Sequence, residues 1–451
     1  MTGDGIHNRI IGSVRLFASG QLAEEFAMNL AGKVEQYLPQ HLLELVKNIC
    51  ELAEQSGYQV YLVGGVVRDL LLGYANFDLD LVVEGDALTL AQQIAASPLL
   101  KQRIGRLVTH PQFGTAKIKY EDFAIDVATA RGETYARPGA LPTVTPSTLM
   151  NDLFRRDFSI NAMAISLMPG NYGELIDPYR GESDIEHRLI RILHPKSFSD
   201  DATRILRAIR YEQRLGFNLE TETARLLKEN IPMLDTISSD RVRHELELIL
   251  REKYPEYAVR RLDELGVLAR ISPPLKGNGW IARKFDQARL LNKPGQLPSL
   301  YFCLLVHPLS QEEVEQLIHH LNIPGKLSQA LRDTLHLKAK LPSLDKSSLR
   351  PSEIYYFLHE YEPLAIQANA IASESVTIRG HLQLFQRKLR YVKTLLKGEE
   401  LRELGVSTGP ELGRILRALH RAKLDGEVNT KEDEGKLVPL LKLQTNKKEE
   451  D

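Results

Sequence analysis

Three stretches of the chain carry residues whose types and spacing suit phosphate chemistry. The first is YLVGGVVRDLLLGYANFDLDLVVEG, over 61–85. Gly64 and Gly65 allow the backbone to approach a bulky anion closely. A helix starting straight after them would add free N–H groups and a partial positive charge. Arg68, in its first turn, supplies a forked donor for phosphate oxygens. Asp78 and Asp80 stand two apart in a strand pattern, so both side chains emerge on one face. Two such carboxylates repel each other unless a cation lies between them. Mg2+ takes hard oxygen ligands and lets phosphate oxygens complete its octahedron. Asp126, in FAIDVATA, is a third acid; if its strand neighbours 77–83, the three could hold two metals for in-line phosphoryl transfer. Alone, a glycine pair is often a turn and an Asp-x-Asp an exposed edge. Together, flanked by Phe77, Leu79, Leu81, Val82 and Val83, they favour a site.

The second stretch, DLFRRDFSINAMAI (152–165), places Arg155, Arg156 and Asp157 before an apolar run read as helical. Asp157 and Asn161, four apart, would share a helix face. The third, SDDATRILRAIRYEQRLGF (199–217), reads as a helix capped by Ser199 or Asp200. Asp201 and Arg204 would be neighbours on its surface. An acceptor beside a forked donor matches the edge of cytosine or adenine, and refuses uracil and guanine. Arg204, Arg207, Arg210 and Arg214 form one stripe; the competing reading is a solvated, ion-paired face.

Several elements must position these groups. Leu42, Leu43, Val46, Ile49, Cys50 and Ala53 recur at helical spacing over 40–56, ended by Gly57. YQVYLV, FDLDLVV and LVTHPQFGTAKIKYEDFAIDVATA read as strands, the last a strand, turn, strand, tight turn at Glu121-Asp122, and strand. Strand signals stop near residue 185. From there to about 425, amphipathic helical patterns alternate with Pro232, Pro273-Pro274, Pro294, Pro324, Pro342 and Pro351. The expected fold is an α/β head on a small mixed sheet, then an all-α neck, body and tail. The expected segments are 1–37, accessory and loose; 38–180, head; 181–270, neck with the base-reading helix; 271–375, body; and 376–451, an RNA-binding tail whose last residues, TNKKEED, are disordered.

The chain has 451 residues, 58 Lys+Arg against 59 Asp+Glu, 43% hydrophobic and 26% charged residues. These values exclude a disordered chain and set a prior of about three domains. Two cysteines without a CxxC argue against a disulfide framework or a thiolate zinc site. No apolar run approaches a membrane span and no signal peptide is evident, so a cytoplasmic protein with no membrane partner is expected. Near-neutral total charge leaves nucleic acid open, because a local basic stripe is enough.

In order and spacing, LVGGVVRDLLLG with FDLDLVV, RRDFSINAMAI, GELIDPYRGESDIEHRLIRIL and DDATRILRAIRYEQRLGF resemble the class II tRNA nucleotidyltransferase and bacterial poly(A) polymerase superfamily. The resemblance covers about residues 57–220. It implies a polymerase-β-like head and template-independent transfer of CMP and AMP from CTP and ATP onto the 3′ end of tRNA, with Mg2+. By position, Asp78 and Asp80 would bind metal, with Asp126 the third catalytic acid. Gly64, Gly65 and Arg68 would hold the triphosphate. Arg155, Asp157 and Asn161 would position sugar and phosphates. Asp201 and Arg204 would choose the base, supported by Arg207.

Two departures stand out. The last motif begins Asp200-Asp201 rather than Glu-Asp. The segment ETYARPGALP replaces a DGxYxDxRxP-like loop that governs the switch from C to A addition, so the product is open between CCA, CC only and terminal A only. Basic residues free of acids over 375–398, then a Gly409-Pro410 turn opening a helix, make Arg387, Lys388, Arg414 and Arg417 the candidate RNA contacts. The rivals are a poly(A) polymerase, a nucleotidyltransferase for small molecules or proteins, and a non-catalytic tRNA-binding protein. A homodimer is left open.

Overall fold

The computed structural model describes residues 28–292 and 294–446. The expected accessory segment therefore lies outside the described residues up to 27, as does the charged tail from 447 onward. The chain divides into two compact units that meet at Ser238 and Ser239.

The first unit opens on helices α1 (Ala31–Tyr37) and α2 (Gln40–Gln55). Residues 28–37 are not loose: Leu30, Val34 and Leu38, spaced four apart, are all buried. Helix α2 buries the expected stripe, and Gly57 follows it with φ +71°. Next come β1 (Gln59–Val63), α3 (Gly65–Leu71), β2 (Leu79–Glu84), α4 (Ala87–Ala96), β3 (Ile104–His110), β4 (Thr115–Tyr120) and β5 (Phe123–Thr129). They are followed by β6 (Arg131–Thr134), β7 (Thr143–Pro146), α5 (Leu149–Phe154), β8 (Ala164–Ser166), β9 (Leu175–Ile176), α6 (Gly181–Glu186) and β10 (Leu189–Ile190). The unit closes with α7 (Ser197–Asp200), α8 (Thr203–Leu215), β11 (Asn218–Leu219) and α9 (Thr221–Asn230).

Seven strands form one mixed sheet in the order β3-β4-β5-β2-β1-β8-β9. Strand β2 is central and lies parallel to β5 and antiparallel to β1. Its Leu79, Leu81, Val82 and Val83 are buried, the near-continuous apolar pattern of a strand covered on both faces. Strands β6 and β7 form a separate hairpin with residues 135–142 as its tip. The short parallel pair β10–β11 was not legible as strand in the sequence.

The second unit is built of helices, and its described residues contain no strand. Prolines begin helices at 255, 351, 363 and 410, where the missing N–H costs nothing. One buried core gathers Leu337, Ile354, Ile366, Leu382 and Phe385, and another Leu401, Val406, Ile415, Leu419 and Val438. No helix among the described residues is long and apolar enough to cross a membrane.

Candidate active site

Two of the three carboxylates, Asp80 and Asp126, stand side by side as the strand reading expected, and Asp78 lies just outside the strand. Asp80 lies on β2 and pairs in register with Asp126 on β5, while exposed Asp78 immediately precedes β2. Asp80 is pushed up to about 6, by burial first and then by Asp126 and Asp78, with Arg156 and Lys117 opposing. Lys117 Nζ lies 3.1 Å from Asp126 Oδ2. Among the described residues, no group of three or more His, Cys, Asp or Glu side chains is placed so as to hold a metal ion. The donor set still fits a hard divalent ion: oxygen ligands only, partly open, in mutual repulsion that a cation would relieve.

Gly64 joins β1 to α3 with φ +75°, a conformation that favours glycine. A Cβ there would stand 2.8 Å from Arg156 Nη1 and 3.8 Å from Asp80 Oδ2. Gly65 opens α3, as expected. Arg68 departs from expectation. It is buried, donating from Nη1 to Asn161 Oδ1 at 2.7 Å and from Nε to Asp69 Oδ1 at 2.8 Å. Its fork ties α3 to the 159–161 turn instead of standing free for a phosphate.

The Arg-Arg-Asp segment is not the start of a long helix. Helix α5 ends at Phe154, Ser159–Asn161 makes one 3-10 turn, and the chain becomes strand β8. The apolar run Ala162–Ile165 is buried and β8 pairs with β1, so tertiary burial overrides the helical pattern. Asp157 and Asn161 meet nonetheless, with Asn161 Nδ2 donating to Asp157 Oδ1 at 3.0 Å. Asp157 Oδ2 accepts from Arg207 Nε at 2.9 Å and Nη2 at 2.5 Å. Burial would raise the Asp157 carboxyl, but Arg207, Asn161 and Arg204 bring it down to about 2. Residues 69, 68, 161, 157 and 207 thus form one chain of polar contacts. The guanidinium carbons of Arg68, Arg207 and Arg210 lie 5.4, 5.7 and 5.0 Å from the Tyr211 ring centre.

Asp201 does not sit on the helix with Arg204. It precedes α8, and its Oδ1 accepts from the backbone N–H and hydroxyl of Thr203 at 2.9 and 2.6 Å. Asp201, not Ser199 or Asp200, thus supplies the side-chain acceptor just ahead of α8, whose N-cap position is Ala202. Arg204 is buried and donates to Ser197 Oγ at 2.7 Å and to the Arg155 carbonyl at 2.6 Å. Arg155, Arg204 and Asp200 line one cavity of about 650 Å3, with Glu133 and Tyr135 from the β6 end and His194 below them. Burial, then Arg204, holds the His194 imidazole below its ordinary value, with Asp200 opposing.

The candidate RNA contacts lie in the second unit. Arg387 ends the helix Val376–Arg387 and Lys388 follows it, both exposed. On Pro410–Leu424, Arg417 is exposed and Arg414 half-buried, with Arg414 Nη1 3.4 Å from the Leu441 carbonyl. His420 Nε2 lies 3.0 Å from the Val392 carbonyl and joins the two stretches. Arg421 covers Tyr356 at 4.3 Å, and Arg390 covers Tyr391, which is 65% exposed, at 5.1 Å. The Arg421–Tyr356 pair joins two separate helices and so was not legible in the sequence, whereas Arg390 and Tyr391 are neighbours in the Leu389–Tyr391 turn.

Sequence reasoning also missed Asp152, Arg156, Lys117 and Glu133. Spacings of three and four to Arg155 and Arg156 could have flagged Asp152. The tight turn at Glu121-Asp122 already sets Lys117 opposite Asp126.

The model of the poly A polymerase head domain matches residues 60–191, and that of a probable RNA- and SrmB-binding site of polymerase A matches 216–277. The chain is 34% identical to the A-adding tRNA nucleotidyltransferase of Geobacter sulfurreducens, over 90% of this chain and 48% of that protein. It is 32% identical to the A-adding tRNA nucleotidyltransferase of Halalkalibacterium halodurans, over 90% of this chain and 94% of that one. The chain thus spans about half the length of the Geobacter relative. Among solved structures, a CCA-adding enzyme in apo form aligns with TM-score 0.75 and 30% identity over 92% of this chain and 99% of that one. The Thermotoga maritima CCA-adding enzyme complexed with tRNA aligns with TM-score 0.69 and 29% identity, over 92% and 98%.

Proposed function

The chain belongs to the class II tRNA nucleotidyltransferase family, and on that premise we propose that it transfers nucleotides from CTP and ATP to the 3′ end of tRNA during synthesis of the CCA end. The observation that carries this reading is the register pairing of Asp80 with Asp126, with Arg156 and Gly64 beside Asp80. Carboxylates and a cation at one point of a sheet suit the α-phosphate of a triphosphate. The cavity lined by Arg155, Arg204 and Asp200 has the size of a ligand pocket.

Asp78 and Asp80 would hold a divalent ion, Mg2+ by its ligand preference, which would supply polarisation of the acceptor hydroxyl and charge neutralisation on the pyrophosphate. The 3′-hydroxyl oxygen bonds to the α-phosphorus, the bond to the bridging oxygen breaks, and pyrophosphate leaves. Asp126 takes the hydroxyl proton. Arg156 and the backbone at Gly64 and Gly65 hold the phosphates. Asp157, Asn161 and Arg207 brace the site from behind, and Arg68 acts within that brace. Arg204 with Asp201 chooses the base, Asp200 being the second carboxylate at the same cavity. Arg387, Lys388, Arg414 and Arg417 grip the tRNA backbone, which orients the acceptor end so that positioning supplies most of the rate.

The ETYARPGALP sequence at the β6–β7 hairpin leaves the product open, and the two A-adding relatives favour a restricted product, terminal A only. Incubation with tRNAs ending at the discriminator base, at C and at CC, with CTP, ATP or both, separates the cases by product size. Addition of A to the CC end alone supports the restricted product, addition of C followed by A supports full CCA synthesis, and addition of C without A marks a CC-only enzyme. A long A ladder on unrelated RNA points to a poly(A) polymerase, and no incorporation overturns the reading.

A further inference from the structure

Asp152 is fully buried, in the last part of α5, yet it faces arginines rather than apolar core. Its two oxygens are divided between them. Oδ1 accepts from Arg155 Nε at 2.9 Å and Nη2 at 2.7 Å. Oδ2 accepts from Arg156 Nε at 3.3 Å and Nη2 at 2.9 Å. This side-on, two-pronged pairing fixes the plane of each guanidinium.

What remains of each arginine points elsewhere. Arg155 turns Nη1 to Glu133 Oε1 at 2.9 Å, and its carbonyl accepts from Arg204, so it belongs to the wall of the cavity. In Arg156, Nη1 is the nitrogen beside Gly64, and its charge is felt at Asp80. Burial alone would raise the Asp152 carboxyl; Arg156 and then Arg155 outweigh it and keep the group below the ordinary carboxylate range. Asp152 and Glu133 thus face Arg131, Arg155 and Arg156, and Asp152 is the one acid that holds both Arg155 and Arg156.

We propose that Asp152 is a positioning residue of the nucleotide site, its single carboxylate setting Arg155 at the base cavity and Arg156 at the phosphate end. The proposal rests on the nucleotidyltransferase reading above. It makes the two ends of a bound nucleoside triphosphate answer to one anchor: a change at Asp152 moves both, through the arginines.

The test is steady-state kinetics of Asp152→Asn, with ATP varied at saturating tRNA and then tRNA varied at saturating ATP. The expected result is a rise of about tenfold in KM for ATP with KM for tRNA within about twofold of the parent. Arg156→Gln should raise KM for ATP as well, and Asp152→Asn added to it should change that value by less than about threefold, because residues acting through one contact are not additive. The paired variant Asp152→Asn with Arg156→Gln removes opposite charges together, so it gives a folded comparison if Asp152→Asn alone does not fold. An unchanged KM for ATP, an equal rise in both KM values, or full additivity with Arg156→Gln overturns the proposal. If the parent protein adds no nucleotide to tRNA, the functional reading itself falls; if it does and Asp152→Asn behaves like it, only the positioning role falls.

Discussion

Asp80 is electrostatically stressed, because burial and two neighbouring acids act on it together. Asp80→Ala is therefore expected to lower nucleotide incorporation by about a hundredfold or more while leaving tRNA binding in place; near-parental turnover would remove Asp80 from the chemistry. Asp157 shows the opposite balance. Its carboxyl is lowered to about 2 once Arg207 and Asn161 offset its burial. A carboxyl depressed in the folded state contributes stability above its unfolded value, near 4, and that contribution is lost as pH falls from about 4 to about 2. The expected outcome is a steeper loss of the urea midpoint between pH 5 and pH 3 in the parent than in Asp157→Asn. Arg207→Ala, which leaves the buried carboxylate without this partner, should cost about 2–4 kcal/mol. These residues were partly legible in the sequence. The four-residue spacing correctly brings Asp157 to Asn161, but by way of a 3-10 turn, not a helix face. Arg68 was read as a phosphate donor because its type and place allow it; only the fold shows its donors committed to Asp69 and Asn161.

At the level of elements, the β1–α3 junction concentrates the demands on the backbone. Gly64 takes φ +75° and leaves the space that Arg156 Nη1 occupies. Gly64→Ala should cost about 1–2 kcal/mol in backbone strain and displace Arg156. We expect a drop in thermal midpoint together with a KM for ATP raised several-fold; a drop in midpoint with unchanged KM would place Arg156 outside the nucleotide site. The β4–β5 hairpin shows how far local signals reach. A two-residue turn at Glu121-Asp122 sets the register that puts Lys117 opposite Asp126, and both facts follow from strand arithmetic. Strand β8 shows where such signals stop. Its residues have the periodicity of a helix, and only the vacant edge of β1 makes them a strand. Likewise the sequence places the start of α8 behind Ser199 or Asp200, and the separate turn α7 with the break at Asp201 appears only in the fold, where the Asp201 side chain accepts from Thr203.

Across the whole molecule, 58 cationic and 59 anionic side chains nearly cancel, so net charge says little about partners. Their placement says more. Acids stand at β2 and β5, while cations lie along 387–421 in the helical unit, Arg390 over exposed Tyr391 and Arg421 over half-buried Tyr356. Affinity for tRNA should therefore fall with added salt. Changing Arg387, Lys388, Arg414 and Arg417 to Ala should each reduce the slope of log affinity against log salt by up to about 1, with KM for ATP unaffected. A slope unmoved by all four changes would locate the RNA interface elsewhere.

The sequence by itself determined the α/β head, the helical remainder, the candidate carboxylates and the family, because strand alternation, helical spacing and short motifs are local properties. The tertiary structure alone decided which polar groups are committed inside the fold. Arg68, Asp201 and Arg204 are partly committed to internal contacts; Arg156 is held by Asp152 but keeps Nη1 beside Gly64, and Asp200 lines the cavity. The physical reason is that a buried polar group must be satisfied by whatever the fold brings against it, and those partners lie on elements far away in the chain.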